Sequence, residues 1–214
     1  MSSPTVLVVA KAPVPGLAKT RLAAHVGDDR AADFAAAALL DTLDAARATG
    51  WRVVVSMTGD LDAAARAEEL REALADLEVV QQRGDGFGER LVNAHADADA
   101  GHGVVQVGMD TPQVTAAQLR EAGELLSEHP AVLGHAEDGG WWLLALRSAE
   151  DARPLADVPM STSHTGRDTE AVLPLPIALV QEARDVDEWQ DAFMIASAFV
   201  HLRASAVIRE AMPR

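Results

Sequence analysis

Thr5-Val-Leu-Val-Val-Ala10 passes directly into Lys11-Ala-Pro-Val-Pro-Gly16-Leu-Ala-Lys19-Thr20-Arg21, and this junction decides the fold. A short, uninterrupted apolar run closed by a proline-rich loop predicts a strand buried on both faces of a parallel sheet. The loop after it carries Lys11 and Lys19, the only two lysines of the chain, together with Arg21. Pro13, Pro15 and Gly16 stiffen and open that loop, so its cations can converge on one anion, with a helix start behind them. Phosphate suits such a site. A solvated loop with surface cations is the bland alternative. A P-loop is excluded, because Ala18 and Pro13 stand where that motif needs glycine.

Outward from this point the elements alternate. Residues 31–48 are rich in Ala and Leu, with Asp41 and Asp44 interrupting, and predict a helix ended at Gly50. Trp51–Ser56 predicts a second strand, residues 60–75 a helix, Leu77–Gln81 a third strand and Phe87–Ala98 a helix. Gly103–Gly108, Ala131–Gly134 and Trp141–Leu146 read as further strands, with a helix over 115–128. Alternation of this kind predicts an α/β domain with a mainly parallel sheet and a ligand site at the carboxyl ends of its strands. Residues 148–169 lack periodicity and read as an excursion or lid over that site. Residues 188–210 read as one helical tail.

The chain has 214 residues, about half of them apolar, which matches one domain with a sizeable core. Its formal net charge of -15 argues against nucleic-acid or anionic-membrane partners, which require a positive surface. Cysteine is absent, so thiolate sites and disulfides are excluded and any metal must sit on oxygen or histidine. Met1-Ser2-Ser3-Pro4 shows no charged leader and no run of membrane-spanning length, so a cytoplasmic protein is expected. The seven histidines lack metal-ligand spacing. Ser161, Ser163 and His164 lie outside any nucleophile elbow.

Several carboxylates fall at predicted strand ends. Asp110, in Gly108-Met-Asp-Thr-Pro112, is the first candidate to hold a hard cation against phosphate oxygens; an N-cap or Asx turn before the next helix is the alternative. Asp185 and Asp187 alternate, so in an extended segment both point to one side and could complete a Mg2+ or Mn2+ site with Asp110. Asp187 could instead cap the following helix. Glu137, Asp138, Gly139 and Gly140 precede Trp141, an arrangement that suits acceptor or sugar hydroxyls or, without function, a hairpin turn. Gln82, Gly88 and Arg90 follow the third strand and suit nucleotide recognition, with a Glu89–Arg90 surface pair as the alternative.

Taken in order, Lys11 to Leu22, Gly84 to Leu91, Gly108-Met-Asp-Thr-Pro112, Ala136 to Leu143 and Asp185-Val-Asp187 resemble the bacterial DUF2064 family, also described as rSAM/selenodomain-associated glycosyltransferases. The resemblance covers almost the whole chain. It implies a three-layer α/β/α, Rossmann-like GT-A fold of the nucleotide-diphospho-sugar transferase type. Related folds serve molybdenum-cofactor nucleotidyltransferases and phospholactate guanylyltransferase. The resemblance further implies that Lys19 and Arg21 hold a triphosphate, while Asp110 with Asp185 or Asp187 holds the metal. Met160 stands where an aromatic residue is expected, and Met109 and Gln113 are atypical flanks.

The expected activity is transfer of a nucleoside monophosphate from an NTP to a small phosphorylated or hydroxyl acceptor. Lys11, Pro15, Gly16, Lys19, Thr20 and Arg21 would embrace the phosphates, and Lys19, Arg21, Asp110 and Asp138 would form the catalytic set. Glycosyl transfer from a nucleotide sugar is the alternative, with Glu137 or Asp138 near the sugar or acting as acceptor base. A non-catalytic nucleotide-binding module is a third.

Overall fold

The computed structural model describes residues 3–212, so the reading of Met1 and Ser2 lies outside the described residues. One seven-stranded sheet organises the chain: β1 (Thr5–Lys11), β2 (Val53–Thr58), β3 (Glu78–Gln81), β4 (Val104–Gly108), β5 (Ala131–His135), β6 (Trp141–Leu146) and β7 (Ile177–Leu179). Their order across the sheet is β3-β2-β1-β4-β6-β5-β7. β6 pairs antiparallel with both β4 and β5, whereas every other pairing is parallel. The fold is the mixed, mainly parallel α/β/α arrangement expected.

The alternation of buried side chains along β1 explains the layering. Val6, Val8 and Ala10 pack on one face with Leu39 and Leu43 of α2 (Asp28–Arg47), Leu70 of α3 (Ala67–Leu74) and Leu119 of α5 (Ala116–Leu125). Leu7 and Val9 pack on the other face with Leu91 and Ala94 of α4 (Phe87–Ala98) and with Leu155 of a 3-10 helix (Ala149–Asp157). Side chains of a strand point alternately to its two faces, so an all-apolar run needs helices on both sides. A third apolar cluster joins α1 (Thr20–Val26) and α2 to α7 (Trp189–Ala198) and α8 (Arg203–Ala211).

The chain winds outward from β1 through β2 to β3 and then returns to β4 on the other side of β1. Ligand crevices form at such reversals, at the carboxyl ends of the strands. Here those ends are Lys11 and Gly108.

Three expectations are corrected. The helix over 60–75 is a 3-10 turn (Leu61–Ala63) followed by α3, because Arg66 adopts a left-handed backbone (φ 51°) and its Nε donates to Asp33 of α2 at 2.6 Å. The helical tail is two helices bent by 117°, since the Asp41 carboxylate of α2 accepts the backbone N–H groups of Arg203 and Ala204 and starts α8 there. Residues 148–169 are not a single lid: the 3-10 helix Ala149–Asp157 packs on α4, and α6 (Thr165–Glu170) follows. Helix α1, which starts at Thr20 with Lys19 as its N-cap, is the helix start expected behind the basic loop. Among the described residues no single helix is long and apolar enough to cross a membrane.

Candidate functional site

A cavity of about 590 Å³ opens at the carboxyl ends of β1 and β4. Of the residues singled out in the sequence, Lys11, Arg21, Gln82 and Arg90 line it. So do Asp110, Asp138, Gly140, Asp185 and Asp187. The basic loop after β1 therefore faces four carboxylates that are distant in sequence.

Lys19 links the two sides. Its Nζ lies 2.7 Å from Asp110 Oδ1 and 2.9 Å from Asp187 Oδ1, with the lysine side chain only 7% exposed. Burial favours loss of its proton, but the two carboxylates outweigh this and raise its pKa above the ordinary lysine value. Its backbone occupies the left-handed region (φ 49°, ψ 48°), which a long side chain adopts only when its surroundings hold it there. Arg21 Nη1 approaches Asp187 Oδ2 at 3.6 Å. Burial draws the Asp187 carboxyl upward, yet Lys19 and Arg21 prevail and hold it below the usual carboxylate range.

The two acidic segments are tied together. The Val186 N–H donates to the Asp110 carbonyl at 3.0 Å, and the Thr111 hydroxyl donates to Asp185 Oδ1 at 2.5 Å. Neither Asp110 nor Asp187 serves as a helix cap. Thr115 caps α5 in a reciprocal pair with Gln118, and Glu188 caps α7 with Asp191. Asp185 is pushed up to about 6 by burial, reinforced by the nearby charges of Asp110 and Asp138 and opposed by Thr111 and Lys19. Among the described residues no group of three or more carboxylate or histidine side chains is arranged to hold a metal ion directly. Asp110 and Asp187 converge on an ammonium instead.

The turn between β5 and β6 is the hairpin that Asp138-Gly139 suggests, and it also reaches the cavity. Asp138 Oδ1 accepts the Gly140 N–H at 2.8 Å, and among the described residues its other oxygen makes no hydrogen bond. A Cβ built on Gly139 (φ +89°) would fall 1.9 Å from the Ser163 carbonyl oxygen, so the turn and the segment 160–163 are pressed backbone to backbone. Glu137 points elsewhere and pairs with Arg184, outside the cavity lining. Gly139 is likewise not a lining residue.

The opposite wall is built from amides and an arginine. Gln82 Nε2 donates to the carbonyls of Ala10 (2.9 Å) and Ser56 (3.0 Å), which leaves its oxygen to accept from a ligand. Arg90 lies over the Phe87 ring at 5.6 Å rather than in a pair with Glu89. Gly88 supports this wall from behind, against the Leu155 carbonyl. Pro15, Gly16 and Thr20 shape the basic loop but do not line the cavity.

Sequence reasoning missed Gln106, Thr111 and Phe87, which line the cavity; Trp141, from the acceptor motif, and Met160–Ser163, from the segment expected over the site, line it as well. Gln106 carried a readable signal, since it is the one polar residue within the apolar run 104–107. The hydroxyls of 161–163 carried none of their own, because it is the packing of residues 160–169 on the Gly139–Trp141 turn that brings them to the site.

The profile of a family described as an uncharacterized protein conserved in bacteria, DUF2064, matches residues 40–162. No curated protein matches the chain. Among solved structures, one from Desulfovibrio desulfuricans G20, provisionally assigned as a nucleotide-diphospho-sugar transferase, is 25% identical, with a TM-score of 0.85 over 98% of this chain and 95% of that one. Rv0371c of Mycobacterium tuberculosis H37Rv, in complex with manganese, is 20% identical (TM-score 0.57, 92% of this chain and 100% of that one). A nucleotidyl transferase from Methanothermobacter, Mth528, is 17% identical (TM-score 0.56, 94% and 99%). The last two likenesses establish the fold alone. The architecture is that of the GT-A-like nucleotide-diphospho-sugar transferases.

Proposed function

This chain belongs to the DUF2064 family, and we propose that it is a single-domain, metal-dependent nucleotidyltransferase of the cytoplasm. It transfers a nucleoside monophosphate from an NTP to a small phosphorylated or hydroxyl acceptor. The observation that carries this reading is the convergence of the basic loop and four carboxylates on one cavity, through Lys19, Asp110 and Asp187.

Two carboxylates, completed by polyphosphate oxygens, would suit a hard divalent cation. Asp110 and Asp187 present carboxylates that are 46% and 47% exposed and already share one cation-sized position, and Asp138 and Asp185 stand beside them. The manganese complex of Rv0371c supports a divalent ion in a protein of this fold. When bound, Mg2+ or Mn2+ would offset charge on the phosphates and on the leaving pyrophosphate.

Lys11, Lys19 and Arg21 bind the triphosphate, while Gln82 and Arg90 hold the nucleoside end. An acceptor oxygen attacks the α-phosphorus and the bond to pyrophosphate breaks. With a hydroxyl acceptor, the free oxygen of Asp138 takes the proton. Positioning and charge supply most of the rate enhancement.

Glycosyl transfer is the second reading. It is favoured by the assignment of the Desulfovibrio relative and by Asp138 lining the cavity together with Ser161, Thr162 and Ser163. Against it, three cations suit a triphosphate better than a diphosphate.

One assay separates these readings. The protein is incubated with a panel of NTPs and nucleotide sugars, with Mg2+ or Mn2+ and candidate acceptors, and the products are analysed. Pyrophosphate release supports nucleotidyl transfer. NDP release replaces it with sugar transfer, and binding without turnover leaves only a nucleotide-binding module.

A further inference from the structure

We propose that the Lys19 ammonium occupies the cation position between Asp110 and Asp187 in the nucleotide-free protein, so that a divalent cation enters only with a polyphosphate that draws the lysine away. The inference rests on the reading of this cavity as a metal-nucleotide site and adds an order of binding to it.

The geometry carries it. Asp110 Oδ1 and Asp187 Oδ1 both lie within 2.9 Å of a single nitrogen. The oxygen lone pairs that hold this ammonium are the ones a divalent ion would need. An ion bound to both oxygens at its own shorter bond lengths would sit almost on top of Nζ. Two cations cannot share that position, because their repulsion is poorly screened around a side chain that is only 7% exposed. The lysine must leave first.

The same lysine is placed to leave. It starts α1 in a left-handed backbone conformation that only its surroundings maintain, so nothing local favours the bridged state once the carboxylates find another cation. Arg21, two residues on, is 70% exposed, and Lys11 lines the same cavity. A polyphosphate drawn in by these two cations offers Lys19 replacement oxygens and vacates the two aspartates. Metal and polyphosphate therefore bind with positive coupling, and by linkage each tightens the other equally. Asp110 and Asp187 are satisfied in the resting state without any metal, which keeps adventitious ions out.

Mn2+ binding, read by the electron paramagnetic resonance signal of the free ion, tests this. Wild-type protein is titrated with Mn2+ alone and with Mn2+ plus inorganic tripolyphosphate, and Lys19→Met with Mn2+ alone. Wild type is expected to bind Mn2+ weakly alone and roughly 5–150-fold more tightly with tripolyphosphate, after correction for binding to tripolyphosphate in solution. Lys19→Met is expected to bind Mn2+ alone at least about tenfold more tightly than wild type, and Asp187→Asn in that background to lose the gain. Should Lys19→Met fail to fold, Lys19→Gln, which keeps a donor for the carboxylates, gives the same readout. Equal or weaker Mn2+ binding by the lysine variants overturns the gate while leaving the metal site intact. Absence of Mn2+ binding in every protein, with or without tripolyphosphate, overturns the underlying metal-site reading as well.

Discussion

His95 Nε2 lies 2.8 Å from Gln106 Oε1, joining α4 to the middle of β4 directly beneath the cavity. Both side chains are buried, and among the described residues the histidine Nδ1 has no partner. With the amide oxygen as acceptor, the neutral ring carries its proton on Nε2. Gln106 is thereby held as a polar floor in a strand whose neighbours are valines.

This pair sets a pH dependence of stability. Burial depresses His95 from 6.5 to about 4 in the folded protein, against a smaller upward pull from Gln106. Between these values the unfolded chain binds the extra proton and the folded chain does not. Stability is therefore full above pH 6.5 and falls as the pH drops towards 4, by on the order of 3 kcal/mol from this group. Urea denaturation at pH 7.0 and 4.5 should show a clearly smaller difference for His95→Leu than for wild type. An equal difference would remove His95 as the source.

Asp41 should be structural. Its carboxylate accepts the N–H groups of Arg203 at 3.1 Å and Ala204 at 3.0 Å, and α8 has no side-chain cap of its own. Asp41→Ala is expected to cost about 2 kcal/mol in chemical denaturation, since it leaves buried donors unpaired. A loss below about 0.5 kcal/mol would show that water replaces the carboxylate.

Gly139→Ala should disturb the acceptor side of the cavity. The new methyl meets the Ser163 carbonyl, and φ of +89° disfavours any side chain. A destabilisation of about 2 kcal/mol is expected, together with faster hydrogen exchange or proteolysis around residues 160–164. Unchanged exchange and melting temperature would refute the contact.

Asp110→Asn should spare the fold and weaken Mn2+-dependent nucleotide binding by roughly two orders of magnitude, about 3 kcal/mol. Calorimetry with the NTP that binds wild type best is the measurement. Undiminished affinity would remove Asp110 from the metal ligands.

Much of the fold was legible locally. The span of α4 agrees with the sequence reading, as does the apolar run of β1, because periodicity and turn residues lie within each segment. The breaks were not legible. Nothing near Arg66 announces a partner in Asp33, and nothing near residue 199 reveals that Asp41 starts a new helix four residues later. Asp41 and Asp44, which looked like interruptions of an apolar helix, both hold Arg203.

By itself the sequence determined which segments must be buried strands, where the basic loop interrupts them, and that its cations and the scattered aspartates were the groups worth joining. Only the tertiary structure decided which of them meet. The β3-β2-β1-β4 order sets the ends of β1 and β4 side by side, and the Val186–Asp110 hydrogen bond draws in residues 185–187. Lys19 thus reaches Asp187, a partner 168 positions away, while Glu137, beside Asp138 in the chain, turns to Arg184. The physical reason is that a buried charge must find a partner, and the sheet order determines which opposite charge lies within reach.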